Sequence, residues 1–126
     1  MRILLDTAVL ICAVESPERL SKRVASALQN PGNILELSAV SLAEIAIKTN
    51  LGKLAVTAAI ARQAVEDLDI RILPFTAEHA FYLFGLPLHH GDPFDRQIIT
   101  QALFEKIPVV TPDEKFSLYK GLRVIW

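Results

Sequence analysis

Arg2-Ile-Leu-Leu5 is a short, mostly apolar run near the start of the chain, and Asp6 follows it directly. A run of this kind is typical of a strand that is buried on both faces of a sheet. Four similar runs recur along the chain, at residues 34–37, 70–73, 108–110 and 122–125. Longer segments between them predict helices at residues 7–14, 17–28, 41–50, 56–68, 76–84, 93–104 and 112–119. This alternation predicts an α/β fold of three layers, with a central, mostly parallel sheet of four to five short strands flanked by helices.

The composition narrows the class of protein. The chain has 126 residues, one cysteine and a net charge of -1, which excludes a disulfide framework and a cysteine-rich zinc module. The near-zero charge also argues against a protein that coats nucleic acid by bulk electrostatics. Hydrophobic residues make up 52% of the chain, a high share that favours a further buried face between subunits. We expect one domain, residues 1–126, that self-associates in the cytoplasm and has no membrane segment.

Acidic residues lie where the predicted strands end and helices begin. Asp6 follows the first strand, and Glu44 falls in the first turn predicted for the helix after the second. Asp92 and Asp95 open a later helix, and Asp113 follows the fourth strand. Because ligands of an open parallel sheet bind at the carboxyl ends of its strands, we expect these side chains to share one edge.

Each of these acids also has a simpler interpretation as a helix cap. Ser41 and Glu44 have the spacing of a capping box, and Asp92 precedes a proline that suits the first position of a helix. Asp113 would be favoured by a helix dipole, and Asp6 could cap the first helix. For any one acid taken alone, capping is the stronger hypothesis.

Taken together, the acids favour a metal site. Two carboxylates about 5 Å apart repel by about 3 kcal/mol at an effective dielectric constant of 20. A cluster of four is therefore tolerable only if some members are protonated or a cation binds. An all-oxygen site without clustered cysteine or histidine selects Mg²⁺ or Mn²⁺ over zinc.

Four segments follow one another in a familiar order: Leu4-Leu-Asp-Thr7, Ser41-Leu-Ala-Glu-Ile-Ala-Ile-Lys48 with Gly52-Lys-Leu54, His90-Gly-Asp-Pro-Phe-Asp-Arg-Gln-Ile-Ile99, and Thr111-Pro-Asp-Glu-Lys-Phe116. In this order they resemble the PIN-domain family, and within it the small VapC-type toxins of bacterial toxin–antitoxin pairs. The resemblance covers nearly the whole chain. Two positions depart from it, since close relatives often carry His where this chain has Ala8 and Trp where it has Ala43.

The resemblance implies a PIN-like fold and an endoribonuclease that depends on Mg²⁺ or Mn²⁺ and leaves a 5′-phosphate and a 3′-hydroxyl. It also implies a homodimer that a cognate VapB-type antitoxin holds inactive. The catalytic and metal-binding residues that it implies are Asp6, Glu44, Asp95 and Asp113. Asp92 matches a position that caps the helix and supports the site.

Neighbouring polar residues complete the expected site. The hydroxyls of Thr7 and Thr111 are placed to brace carboxylates or bind phosphate, and a role as helix caps is equally open. Lys48, Lys53 and Arg96 are the candidate phosphate contacts, because each lies near an acidic motif. Lys48 also has the spacing of an ordinary helical ion pair, and Arg96 could pair with neighbouring acids.

Several alternatives stay open. A housekeeping RNA-processing nuclease has the same chemistry as a toxin, and a non-catalytic RNA- or protein-binding module could share the fold. A phosphoryl-accepting receiver domain also gathers acids around Mg²⁺, but it needs paired acids after its first strand, where this chain has only Asp6. The pair His89-His90 lacks a third nearby ligand, so a metal role there is disfavoured. The apolar stripes, which include Ile45, Ile47, Leu51, Phe81, Leu83 and Phe84, are expected in the core or a dimer interface.

Overall fold

The computed structural model describes residues 1–126. Its five strands are β1 (Arg2–Leu5), β2 (Ile34–Ser38), β3 (Arg71–Leu73), β4 (Val109–Val110) and β5 (Val124–Ile125). Its six α-helices are α1 (Thr7–Glu15), α2 (Lys22–Gln29), α3 (Ala39–Asn50), α4 (Ala58–Asp67), α5 (Ala77–Leu83) and α6 (Pro93–Glu105). Short 3₁₀ turns cover Pro17–Arg19 and Glu114–Leu118. The predicted α/β class is confirmed.

All five strands are parallel and lie in the order β3-β2-β1-β4-β5. The register pairs Leu5 of β1 with Leu37 on one side and Val110 on the other. The carboxyl ends of the strands therefore meet at one edge of the sheet, which we call the carboxyl edge. The chain runs outward from β1 in both directions, so the boundary between β1 and β4 is the point where ligands of such sheets bind.

Both faces of the sheet are covered. Ile3 and Leu5 of β1 point into one core, which they share with residues of α1, α2, α3 and α4. Leu4 points the other way, into a second core with residues of α6 and Phe116. This alternation along one strand is what a three-layer arrangement requires. No helix combines the length and the apolarity that a membrane crossing demands.

The single helix predicted over residues 17–28 is wrong. The chain makes a 3₁₀ turn at Pro17–Arg19 and then extends through Leu20 before α2 begins. Ser21 ends this break, because its hydroxyl accepts a hydrogen bond from the Val24 amide at 3.1 Å and so caps a new helix. The helix predicted over residues 112–119 is also only the 3₁₀ turn Glu114–Leu118.

The start of α3 differs from the prediction in a way that matters for the site. The helix begins at Ala39, and Ser38 caps it by accepting from the Val40 amide at 3.0 Å. Ser41 lies inside the helix, where its hydroxyl accepts from Thr7 Oγ1 at 2.8 Å. The capping-box interpretation of Ser41 and Glu44 is therefore wrong. Glu44 falls in the second turn, where no capping role explains it.

Candidate functional site

Asp6 stands at the boundary between β1 and β4. Its amide donates to the Val110 carbonyl at 3.0 Å, and Thr111 Oγ1 donates to its Oδ2 at 2.7 Å. The side chain does not cap α1, although the residue occupies the cap position. Thr111 therefore braces a carboxylate, as one of its two predicted roles required. It also accepts from the Asp113 amide at 3.1 Å, but the cap of the following 3₁₀ turn is Asp113 and not Thr111.

The Asp6 carboxyl is buried, and burial raises its pKa to about 7. The charges of Asp95 and Glu44 add to this rise, while hydrogen bonds from Thr111 and the Thr7 backbone oppose it. Two acids from two other segments thus influence the charge of Asp6.

Glu44 is buried and only half paired. Lys48 Nζ donates to Glu44 Oε2 at 2.6 Å, which is the helical ion pair that the spacing predicted. Glu44 Oε1 is buried and has no hydrogen-bond partner. Leaving a buried charged oxygen without a partner costs free energy, so this atom is suited to a cation that the rest of the chain does not supply.

Asp92 and Asp95 divide two roles at the start of α6. The exposed Asp92 caps the helix, because its Oδ1 accepts from the Asp95 amide at 2.9 Å. Asp95 is turned inward, and its side chain is only 15% exposed. Burial and then the charge of Asp92 raise the pKa of Asp95, with a smaller contribution from Asp113. Asp92 therefore caps α6, and Asp95 is the more buried of the two acids.

Asp113 lies at the rim of the carboxyl edge. Its Oδ1 accepts from the Lys115 amide at 2.9 Å, so it caps the 3₁₀ turn that follows. The side chain is half-buried, and its charge acts on Asp95. Asp113 thus combines the capping role with a place near the other acids.

The acids converge less tightly than the sequence led us to expect. No three Asp, Glu, His or Cys side chains are assembled as a ready-made metal site. Mg²⁺ usually keeps several waters and uses only one or two carboxylates, so Asp6, Asp95 and the unpaired oxygen of Glu44 still form a donor set that fits it.

The PIN domain family model matches residues 3–122. The chain belongs to the PIN domain family. A search of curated protein sequences found no match.

Solved structures share the fold of this PIN domain. VapBC2 from Rickettsia felis, bound to a DNA fragment from the promoter, has a TM-score of 0.71 and 22% identity, covering 99% of this chain and 98% of that one. DNA-bound VapBC from Salmonella typhimurium has a TM-score of 0.71 and 15% identity, covering 99% and 97%. VapBC-5 from Mycobacterium tuberculosis has a TM-score of 0.63 and 21% identity, covering 98% and 97%. At these identities the likeness is one of fold.

Thr7 and Arg96 of the PIN domain make hydrogen bonds to groups other than the acids. Thr7 was predicted to brace a carboxylate, bind phosphate or cap a helix, and its hydroxyl donates to Ser41, which ties α1 to α3. Arg96 forms no ion pair; its guanidinium donates to the Pro87 and Leu86 carbonyls at 2.8 and 3.2 Å. These bonds hold the loop before α6.

The two lysines differ in their surroundings. The hydrogen bond to Glu44 raises the pKa of Lys48, and the charges of Asp92 and Asp95 raise it further, so the ammonium group faces the acids. Lys53 is exposed beyond the end of α3 and makes no side-chain hydrogen bond. Lys48 therefore belongs to the carboxyl edge, whereas Lys53 stands beside it.

From the sequence, His90 was considered only in the pair His89-His90, for which a metal role was disfavoured, and Tyr119 was not singled out. His90 Nε2 lies 3.2 Å from Asp95 Oδ2, and His90 Nδ1 lies 2.7 Å from the buried Tyr119 hydroxyl. The only local signal was the place of His90 at the head of the acidic motif. No sequence pattern links residues 90 and 119.

Large apolar side chains remain exposed on this PIN domain. Phe84, Leu88 and Phe81 are 88%, 80% and 67% exposed, whereas Ile45 is buried in the core. A groove of about 890 Å³ also runs between α3 and α4, with mostly apolar lining residues that include Ala61 and Val65. Exposed patches of this kind mark contact surfaces in soluble proteins.

Proposed function

We propose that this PIN domain is a Mg²⁺-dependent endoribonuclease that acts as the toxin of a toxin–antitoxin pair. The observation that carries the proposal is the buried, unpartnered Oε1 of Glu44, a residue whose charge acts on Asp6. A buried charged oxygen without a partner is costly, and a divalent cation removes that cost. Family membership supports nuclease chemistry at this edge.

Asp6 and Asp95 are the proposed direct holders of the ion, and Mn²⁺ is expected to substitute for Mg²⁺. Glu44 orients the attacking water or holds a second ion, and Asp113 completes the set from the rim. Thr111 fixes one oxygen of Asp6, and Asp92 fixes the helix start. When bound, the ion activates water and offsets negative charge on the phosphate oxygens.

Lys48 is the proposed phosphate contact nearest the acids. Its ammonium group pairs with Glu44 Oε2 at 2.6 Å. A phosphate that reaches this edge would therefore compete with Glu44 for the positive charge of Lys48. Lys53 adds a positive charge at the mouth of the site, where it attracts an RNA backbone without fixing it. Arg96 contributes indirectly, because its donors are committed to loop carbonyls.

The proposed partners are an antitoxin of the VapB type and a second copy of the chain. The similar solved structures are VapBC complexes, which supports the antitoxin partner. We assign the antitoxin to the apolar groove between α3 and α4, because a helix with apolar anchors fits such a groove. The exposed face of Phe81, Phe84 and Leu88 suits the homodimer. The toxin and its antitoxin would act in the cytoplasm, where the RNA substrate is.

The test is cleavage of a 5′-labelled RNA by the purified chain with Mg²⁺, with Mn²⁺ and with chelator. We expect cleavage with either ion, none with chelator, and at least a 100-fold loss in Glu44→Gln, since outer partners of metal sites alone are worth about 10–100-fold. Glu18→Gln, an exposed acid in the 3₁₀ turn Pro17–Arg19, is the matched control and should cleave normally.

Two results would contradict the proposal. Cleavage by Glu44→Gln at the wild-type rate would remove Glu44 from the site. RNA binding without cleavage in either ion would favour a non-catalytic binding module instead.

A further inference from the structure

We propose that His90 is a positioning residue that orients Asp95 through a directed chain of hydrogen bonds running from Arg96 to Tyr119 to His90 to Asp95. This hydrogen-bond chain begins and ends on the first turn of α6, and it passes through the preceding loop and the end of the 3₁₀ turn. Its role in catalysis rests on the proposed function. The existence and the direction of the hydrogen bonds do not depend on that function.

The contacts are short and consecutive. Arg96 Nη1 lies 3.1 Å from the Tyr119 hydroxyl, which lies 2.7 Å from His90 Nδ1. The other ring nitrogen, His90 Nε2, lies 3.2 Å from Asp95 Oδ2. Tyr119 is 2% exposed and the His90 side chain 8% exposed, so water has little access to these bonds.

The direction of the chain follows from what each group can donate. A guanidinium has no acceptor, so Arg96 donates to the Tyr119 oxygen. The phenol has one proton, and its only remaining partner is His90 Nδ1. We therefore assign the phenol proton to this contact, so that His90 Nδ1 accepts it and the ring proton lies on Nε2. That N–H donates to Asp95 Oδ2, while Asp95 Oδ1 accepts no hydrogen bond and stays available to an ion.

The loop that carries His90 is fixed by the same arginine. Arg96 also donates to the Pro87 and Leu86 carbonyls, so the loop before α6 is tied to the helix that carries Asp95. The His90 ring packs against the Tyr119 ring, with centroids 5.5 Å apart. Asp95 thus has the kind of support that Thr111 gives to Asp6, and both acids have one oxygen held by a neutral donor. Holding a carboxylate in this way is what a metal site requires of its surroundings.

The first test determines the direction of the hydrogen bonds without metal or RNA. ¹⁵N NMR of the wild-type protein, recorded at a pH above which the His90 ring signals no longer change, should show His90 with its proton on Nε2. Tyr119→Phe removes only the hydroxyl and should give a mixture of the two ring tautomers. A wild-type His90 that carries its proton on Nδ1 would overturn the proposal.

The second test measures Mn²⁺ affinity by electron paramagnetic resonance, again without RNA. His90→Phe should weaken binding about 10-fold, and Tyr119→Phe should weaken it by a smaller factor in the same direction. His90→Gln should recover part of the loss, because its amide places a donor near the position of Nε2. His89→Phe is the matched control: the His89 ring meets the same Tyr119 ring edge to face, with centroids 4.9 Å apart, but makes no side-chain hydrogen bond.

The outcomes separate this inference from the proposed function. If His90→Phe and His89→Phe bind Mn²⁺ equally well, His90 does not position Asp95, even if the chain cleaves RNA. If the predicted tautomer and affinity pattern are found but the chain cleaves no RNA, the hydrogen-bond chain stands and the nuclease proposal fails. Thermal melting of each variant confirms that the comparison is between folded proteins.

Discussion

Arg2 begins β1 and Asp6 follows its last residue, so this one strand connects two groups of acidic side chains. The two groups differ in how far their carboxylates are paired with cations or hydrogen-bond donors. At the amino end, Arg2 donates to Glu36 at 2.6 and 3.0 Å and to Glu105 at 3.0 Å. His79 Nε2 lies 3.1 Å from the other oxygen of Glu105. We call these four residues the amino-edge network. Every carboxylate in it has a cationic or donor partner.

The carboxyl edge contrasts with the amino-edge network in its charge balance. Burial alone would raise the pKa of Glu105, but the hydrogen bonds from His79 and Arg2 lower it. At the other end burial raises the pKa of Asp6 to about 7, and no arginine is present to reverse the effect. Acids paired within the chain serve the fold. Acids left partly unpaired at the boundary of β1 and β4 are what a site for an external cation requires.

The largest expected effect comes from Asp6→Asn. This change keeps an acceptor for the Thr111 hydroxyl but removes the charge. We expect RNA cleavage to fall by more than about 100-fold, beyond what outer-shell changes cost, because a proposed ion ligand is lost. Rates of cleavage of labelled RNA at saturating Mg²⁺ measure it. Retention of a wild-type rate would show that the two ends of β1 do not differ in function.

The pH dependence of stability tests the same contrast without RNA. The folded pKa of Asp6 lies near 7, above the ordinary value of 3.8, so the native state favours its protonated form. The resulting contribution to the free energy of unfolding is fully present below about pH 4 and is lost as the pH rises through about 7. Its full size is about 4 kcal/mol. Chemical denaturation of wild type and Asp6→Asn in chelator should therefore diverge over this window, with the variant more stable at pH 7.

The contribution of Glu105 to the pH dependence of stability should have the opposite sign. The pKa of Glu105 in the folded protein is lowered, so its stabilising contribution is present above the ordinary pKa and is lost as the pH falls below it.

The prediction for Asp6 would be contradicted if wild type and Asp6→Asn showed the same dependence of stability on pH between pH 4 and 8. In that case the carboxyl edge would be as well balanced as the amino-edge network.

Arg2→Met tests the amino-edge network. The change keeps an apolar stem but leaves the buried Glu36 without its cation, and Glu105 keeps only His79. Removing one partner of a fully buried pair costs about 3–5 kcal/mol, and because the Arg2 side chain is 38% exposed we expect about 2 kcal/mol. Urea denaturation at neutral pH measures the loss. Arg19→Met, at an exposed site in the 3₁₀ turn Pro17–Arg19, is the control and should leave stability unchanged.

The features that the sequence predicted correctly depend on local patterns. Apolar runs marked all five strands, and the rule for strand ends placed Asp6 at the carboxyl end of the first one. The start of α3 was missed because Ser38 and Ser41 are both good caps. A contact from Thr7, 34 residues away, decides between them. Such a contact leaves no mark in the local sequence.

The partners of the acids depend on distant contacts in the same way. His90 reaches Tyr119 across 29 positions, and His79 reaches Glu105 across 26. The sequence could count acids near strand ends, but it could not show which would be paired. It also predicted a tighter cluster of acids than the structure has.

The smallest expected effect is stabilisation by the ion itself. An ion that binds only the folded chain adds about 1.4 kcal/mol at ten times its dissociation constant, or about 5 °C in melting temperature for a chain of this size. Wild type should show this shift with Mg²⁺ and with Mn²⁺, and Asp6→Asn should not. Arg2→Met should melt lower but gain the same shift, since its change lies at the other end of β1. If Arg2→Met lost the shift while Asp6→Asn kept it, the ion would bind away from the carboxyl edge. The separation of roles between the two ends of the strand would then be wrong.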